Sequence, residues 1–484
     1  MLEYLKDNYW IILLILNYVI AISAVITVVL KNINPTKTLS YIIVLVFFPF
    51  FGLLVYYLFG QEYRKNKIFS RKHVLNQSII KSINQELEFN KNQIRKIDDF
   101  LDHKLKLVKL LYSNKNSPLT LCNEVDILKN GKTKFEALLR DLNNAKNHIH
   151  LEYYIIKDDK IGSKVLDALC KKATQGLKVR LAYDDVGSDL SSKMKQKLNS
   201  SGVEHYPFMP VLFSSLTGKM NYRNHRKIAV IDGEIAYVGG INISDTYVNY
   251  DDNHVYWRDT HLRLVGEAVK SLQIDFFTTW EFVSNQKINI DERYFPEVTC
   301  KNEVAVQIAA SGPDTDAPNI MEAMFMAITT AENYVYITTP YLVPNDQMIT
   351  ALQVAAKSGV DVRILIPKQS DSWVVKHATN SYLERLMDAN IKVYRYTKGF
   401  VHAKTMVVDD IFSTVGTSNM DYRSFNINFE VNAFIYDTKT SKILKNYFLE
   451  DLECAEIVEP ERWTNRPKIE KLKESYCRLW SPLI

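Results

Sequence analysis

The chain has 484 residues, 47% of them hydrophobic and 24% charged, which excludes a disordered or fibrous protein and leaves room for two or three domain-sized units. A formal net charge of +5 without a long basic block gives weak support to a nucleic-acid ligand and mild support to an anionic membrane surface. Five cysteines, widely spaced and without a CxxC pair, indicate neither a disulfide framework nor a zinc site and read as reduced, mostly buried thiols of a cytoplasmic domain.

In chain order, residues 10–30 give 21 positions without a charge and residues 41–59 another 19, each close to the roughly 20 that a helix needs to cross a bilayer. The pattern predicts two membrane spans joined by a short connector containing Pro35, a hairpin rather than a cleaved leader, with a kink at Pro49 in the second span. Arg64, Lys65, Lys67, Arg71 and Lys72 follow that span, against Lys31 and Lys37 in the connector. The positive-inside rule therefore places the N-terminus and the long C-terminal part in the cytoplasm. The expected organisation is a transmembrane hairpin over residues 1–60, a helical linker over 61–117, a first α/β lobe over 118–295, and a second over 296–484 with a helical tail.

Beyond Pro118, helical spacing alternates with short β-branched or aromatic runs. Predicted helices at 134–144, 163–174 and 194–198 alternate with strands at 148–155, 178–183 and 203–206. The second half repeats this, with helices at 320–331, 348–357 and 382–388 and strands at 334–338, 360–366 and 391–396. Such alternation builds β-α units on a mostly parallel or mixed sheet, and its repetition predicts two similar lobes packed against each other.

Each half then carries the same signature. His225, Lys227 and Asp232 recur as His402, Lys404 and Asp409, both spaced H-x-K-x4-D, and each leads into a glycine turn closed by Asn242 or Asn419. Every shared position is displaced by the same 177 residues, a register that accidental matches to a short motif do not reproduce. Two residues apart on a strand, each His and Lys project from one face. Two lobes brought together set two imidazoles and two ammonium groups around one cleft. That set suits phosphoryl transfer with no metal or other cofactor: one His attacks phosphorus, the other protonates the leaving oxygen, and the lysines neutralise the growing charge. Gly240, Asn242, Ser418 and Asn419 are candidate donors to phosphate oxygens. The turn Gly416-Thr417-Ser418-Asn419 differs from Gly239-Gly240-Ile241-Asn242, so the two cradles are not equivalent.

These residues make the chain resemble a two-motif member of the phospholipase D superfamily, specifically the bacterial cardiolipin synthases. The likeness extends over the hairpin with Pro49 and Leu58-Phe59-Gly60, residues 221–227, Thr339-Pro340-Tyr341 and the terminal Ser481-Pro482-Leu483-Ile484. It implies a phosphatidyl-histidine intermediate on His225, His402 as acid and then base, and motif aspartates Asp232 and Asp409 that mostly brace the site. Glu430 and Asp259 are candidates to orient the imidazoles by holding one ring nitrogen. For Asp259, a salt bridge with Arg258 or Arg263 is the other reading.

The resemblance also implies that the phosphatidyl group of one phosphatidylglycerol moves to the terminal hydroxyl of another. Partners are then phosphatidylglycerol, other anionic phospholipids and the membrane, with no nucleic acid and with a homo-oligomer left open. A hydrolytic phospholipase D, another headgroup exchange and an inactive membrane scaffold are the alternatives, and a scaffold needs neither motif His nor Lys. Residues 208–213 and Leu216 gather large apolar side chains around Pro210, in a loop expected either to dip into the bilayer or to pack under its own lobe. In the tail, Ile469, Leu472, Tyr476 and Leu479 fall on one helical face among Lys468, Lys471, Lys473 and Arg478. Docking on the second lobe is preferred there over an interfacial helix.

Overall fold

The computed structural model describes residues 9–30, 35–53, 105–113, 117–209, 222–250, 255–288, 290–299, 302–313, 315 and 317–483. The chain divides into two compact units, one of residues 1–70 with 211–220 and one of residues 71–210 with 221–484. In the first unit, helix Tyr9–Leu30 packs on helix Pro35–Phe47, with Ala21, Ala24, Val28 and Leu45 buried between them. Small residues allow the two backbones to approach. Tyr9–Leu30 is, among the described residues, the one helix long and apolar enough to cross a membrane. The second expected span breaks at Phe48 and turns helical again from Pro49 to Leu53. Pro49 is the cause, because it lacks an N–H and its ring crowds the preceding turn. Residues 54–59 of that span lie outside the described residues.

The second unit holds two lobes. The early strands are β1 (Leu119–Thr120), β2 (Asn123–Lys129), β3 (His148–Tyr153), β4 (Lys178–Asp184), β5 (Glu204–Phe208), β6 (Lys227–Ile231), β7 (Ile235–Gly239), β8 (Tyr256–Arg258) and β9 (Thr260–Gly266). Seven of them form the first sheet in the order β2-β9-β7-β6-β3-β4-β5. There β3, β4 and β5 run parallel through helical crossovers, and β6, β7, β9 and β2 add antiparallel. The later strands are β10 (Ala305–Ser311), β11 (Tyr334–Thr338), β12 (Leu342–Val343), β13 (Asp361–Pro367), β14 (Lys392–Tyr396), β15 (Gly399–Val401), β16 (Thr405–Val408), β17 (Phe412–Gly416), β18 (Met420–Asp421), β19 (Glu430–Tyr436) and β20 (Ala455–Ile457). The second sheet, β1-β10-β19-β17-β16-β11-β13-β14-β20, repeats the plan: β11, β13 and β14 are parallel, and β16, β17 and β19 antiparallel. Both sheets are thus mixed. A shared core of Ile228, Val230, Val238 and Leu262 from one sheet and Val306, Val407, Val415 and Val431 from the other lies between them.

Three expectations change. Helix Leu105–Ser113, at the end of the expected linker, inserts Leu107, Val108 and Leu111 into the core of the second lobe, and β1 pairs with β10 through Leu119↔Gln307 and Thr120↔Val306. Residues 105–113 and 119–120 therefore belong with the second lobe, although the first follows them in sequence. Phe208 is buried at the end of β5 against Phe282 and Phe429, and Met209 is buried beside it, so neither faces a bilayer. Residues 210–216 of that loop lie outside the described residues. Finally, Cys122 is disulfide-bonded, against the expectation of reduced thiols, with its partner outside the described residues; Cys170, Cys454 and Cys477 are free.

The tail helix Lys468–Arg478 does dock on the second lobe, along helix Trp373–Met387, but with the face opposite to the expected one. Cys477 packs with Val343 and Ala378, and buried Glu474 accepts two bonds from Arg466 at 2.9 and 2.7 Å. The apolar row at 469, 472, 476 and 479 is left exposed.

Candidate active site

Each motif histidine is set by a strand segment of the opposite lobe. Asn224 bridges Phe429 in parallel, so the His225 amide donates to Phe429 O at 2.9 Å and the Phe429 amide to Arg223 O at 3.0 Å. In the other half β15 pairs in parallel with β8, Val401 opposite Arg258, and the His402 amide donates to Arg258 O at 2.7 Å. In both places the next residue on the opposing segment is a carboxylate. Glu430 Oε2 lies 2.9 Å from His225 Nδ1, and Asp259 Oδ2 lies 2.7 Å from His402 Nδ1. The two pairs cross between the lobes. The alternative for Asp259 fails, because Arg258 pairs with Asp451 at 2.8 Å and Arg263 with Asp141 at 2.6 Å.

With Nδ1 held by a carboxylate, Nε2 of each ring is the nitrogen left for chemistry. Lys227 and Lys404 each fold back to donate to the carbonyl of their own motif histidine, at 2.6 and 2.5 Å. Burial pushes His225 down to about 4, assisted by Lys227 and Lys404 and opposed by Glu430. Burial likewise takes His402 to about 3, with Lys404 and Lys227 acting in the same direction against Asp259. Burial lowers Lys227 to about 7 and Lys404 to about 8, and Lys404 adds to the effect on Lys227. Both rings are therefore neutral at pH 7. The two amines hold their charge weakly until an anion joins them.

The motif aspartates sit at the far ends of their strands, about five residues or on the order of 16 Å from the lysines. Asp232 accepts from the amides of Lys146, Asn147 and His148 at 2.7 to 2.9 Å. Asp409 does the same for Glu332, Asn333 and Tyr334, at 2.8 to 2.9 Å. Both tie the turn of the β-hairpin to the loop entering the first parallel strand of their sheet, β3 in one lobe and β11 in the other.

The expected phosphate donors are engaged inside the protein. The Gly240 amide bonds Thr260 O at 3.0 Å, and a Cβ there would meet Asp259 Oδ1 at 2.2 Å, so this glycine makes room for the carboxylate rather than cradling an anion. Asn242 accepts from the Ile155 amide at 3.1 Å and donates to Tyr247 Oη at 2.6 Å. The Ser418 amide bonds Asn432 Oδ1 at 3.2 Å, and Asn419 Nδ2 donates to Asp421 at 3.0 Å. Asn419 Oδ1 is buried without a hydrogen-bond partner.

Other neighbours escaped the sequence reading. Thr417 Oγ1 donates to Glu430 Oε2 at 2.5 Å, at the position where the first motif has Gly240; superposing the two turns and asking what differs would have pointed to it. Tyr154 stands edge-on to His225 at 5.0 Å between ring centres, while Trp257 and Tyr247 lie 5.4 and 5.6 Å from His402. Nothing in their spacing marks them.

A family model described as cardiolipin synthase, PLD-like domain, matches residues 138–280 and 324–452, and one described as phospholipase D-nuclease N-terminal matches residues 19–61. A cardiolipin synthase of Halalkalibacterium halodurans is 42% identical over 95% of this chain and 91% of its own length. A cardiolipin synthase of a Geobacillus species is 40% identical over 99% of this chain and 96% of its own. Among solved structures, phosphatidylserine synthase of Haemophilus influenzae superposes with a TM-score of 0.60 at 14% identity, covering 78% of this chain and all of that one, which is a likeness of fold.

Proposed function

This chain belongs to the family of PLD-like cardiolipin synthases, and from that membership we propose that it is a membrane-bound phosphatidyltransferase joining two phosphatidylglycerol molecules into cardiolipin and glycerol. The observation that carries the reading is the pair of crossed His–carboxylate contacts, His225 with Glu430 and His402 with Asp259, around two buried lysines.

His225 Nε2 attacks phosphorus of the first lipid while the P–O bond to its headgroup glycerol breaks, and a protonated His402 gives its Nε2 proton to the departing oxygen. The terminal hydroxyl of a second phosphatidylglycerol then attacks the phosphatidyl-histidine. Its proton passes to His402, and the N–P bond breaks. Lys227 and Lys404 neutralise the non-bridging oxygens in both steps. The phosphodiester brings the negative charge that raises His402 from its low value and so charges the acid when substrate is bound. Glu430 and Asp259 keep Nδ1 occupied and the rings oriented.

The anchor is the N-terminal pair of apolar segments, read as two spans with the lobes in the cytoplasm on the strength of the basic residues after the second. A bonded Cys122 argues for the opposite, oxidising side. Protease accessibility of the lobes in intact cells and inverted vesicles decides between them: protection in cells supports the cytoplasmic placement, and digestion overturns it.

The reaction is tested on the full chain in phosphatidylglycerol vesicles. Equimolar cardiolipin and glycerol support the proposal. Phosphatidic acid with no cardiolipin indicates hydrolysis, and no product from folded protein indicates a scaffold; either result overturns it.

A further inference from the structure

Helix Lys468–Arg478 carries an apolar face that no described residue covers. At about 100° per residue, Ile469, Leu472, Tyr476 and Leu479, with Trp480 in the closing turn, fall within an arc of about 100°. All five are exposed, Leu472 at 64% and Leu479 at 75%. The helix is held from its other side through Glu474 and Cys477, which keeps the apolar arc turned outward. By the same geometry Lys468 borders one edge of the arc and Lys473, paired with Glu470 at 2.7 Å, the other, while Arg478 lies nearly opposite.

We propose that this face lies in the headgroup layer of an anionic phospholipid bilayer, as a second membrane contact beside the N-terminal helices. An apolar stripe between two lysines, with Tyr476 and Trp480 along it, matches what an in-plane interfacial helix needs: alkyl and aromatic groups below the phosphates, ammonium groups level with them. Against an isologous contact with a second copy stands the same pattern, since pairing the stripe with itself sets lysine edges against lysine edges. The inference rests on the membrane placement proposed above and not on the reaction, so its readout is position in the lipid rather than turnover.

The full chain, with half-buried Cys454 replaced by Ser, receives a single added cysteine as Leu472→Cys, Leu479→Cys, Arg478→Cys or Ile15→Cys. Each is labelled with an environment-sensitive fluorophore and reconstituted in vesicles of equal phosphatidylglycerol and phosphatidylcholine. Lipids spin-labelled near the top of the acyl chain should quench the labels at 472 and 479 about twofold or more, and the label at 478 far less, given the 5–10 Å depth of interfacial helices. A label at 15 quenched by deep spin labels establishes that the chain is inserted. Quenching at 15 with water-accessible labels at 472 and 479 overturns this inference alone. Loss at all positions overturns the membrane placement with it, and energy transfer between copies at 472 without lipid quenching assigns the face to a dimer. The two label sites on one face guard against a local defect at either.

Discussion

Glu430 of the second lobe lies 2.9 Å from Nδ1 of His225 in the first, and the same carboxylate oxygen accepts the Thr417 hydroxyl at 2.5 Å. Glu430 is held below the usual carboxylate range: burial works against ionisation, but His225, Lys227 and the Thr417 hydroxyl outweigh it. Replacing it by Gln keeps the shape but lets the amide face Nδ1 with either end, so the correct tautomer is no longer enforced. Turnover of Glu430→Gln is expected to fall on the order of 10²–10⁴-fold. Steady-state rates beside a thermal unfolding curve check this. A parent-like rate in folded protein refutes the orienting role.

The assignment of His402 as the acid makes a separable prediction. A glycerol oxygen is a poor leaving group and needs a proton, whereas a nitrophenolate does not. His402→Ala should therefore lose about 10²–10⁴-fold on phosphatidylglycerol and recover much of that in the first-turnover burst of nitrophenol from a phosphatidyl nitrophenyl ester, the second step still lacking its base. His225→Ala should be inactive on both. Recovery in His225→Ala instead would exchange the two roles.

Much of this architecture was legible because periodicity survives folding. The strand at 334–338 agrees with the alternation of apolar positions, the C-terminal ends of the expected helices fall within two residues of the observed ones while the start of Trp373–Met387 lies nine residues earlier than expected, and the two motifs are joined by crossed contacts between the lobes. What was not legible is which lobe supplies each partner. Sequence distance associates Asp259 with His225 and Glu430 with His402, yet the parallel pairings of β8 with β15 and of Asn224 with Phe429 exchange them. Long-range pairing of that kind has no local signature. The capture of residues 105–113 and 119–120 by the second lobe was hidden for the same reason: a two-residue strand carries too little pattern to declare its partner.

Gly240 tests the asymmetry between the two turns. An added Cβ would lie 2.2 Å from Asp259 Oδ1 and 2.7 Å from Oδ2, so the carboxylate must move away from His402. Gly240→Ala should lose turnover on phosphatidylglycerol through the acid step, and the first-turnover burst of the nitrophenyl ester should again be spared. Thr417→Val, which removes the hydroxyl bonded to Glu430, should impair both substrates because it loosens the nucleophile. Equal effects on the two substrates in Gly240→Ala would contradict the crossed assignment.

The cleft lysines give a pH dependence with a definite sign. Burial, the leading cause, lowers Lys227 to about 7 and Lys404 to about 8, and an anion between them raises both. Binding near pH 7–8 should therefore take up protons, and affinity for a phosphodiester headgroup such as glycerophosphoglycerol should weaken as pH rises through that window. The unfolded chain binds more protons than the folded one from about pH 7 to the ordinary lysine value of 10.5, so stability from this source rises with pH there. Calorimetry in buffers of different ionisation enthalpy measures the uptake. Proton release on binding would reverse the argument.

The motif aspartates predict a stability effect where a catalytic reading predicts a rate effect. Asp232 and Asp409 both adopt left-handed backbone, φ 56° and 54°, which Asn tolerates, so Asp→Asn removes charge and one acceptor without adding backbone strain. Each carboxylate gathers three amides that close its lobe. Those around Asp232 are partly to fully buried, whereas two of the three at Asp409 are exposed and water can replace the carboxylate there. Asp232→Asn should therefore cost about 1–3 kcal/mol of unfolding free energy and Asp409→Asn less. Chemical denaturation gives the order, and the rate per folded molecule should stay far above that of His225→Ala. A rate that collapses in a fully folded Asp232→Asn protein would move this residue from brace to catalyst.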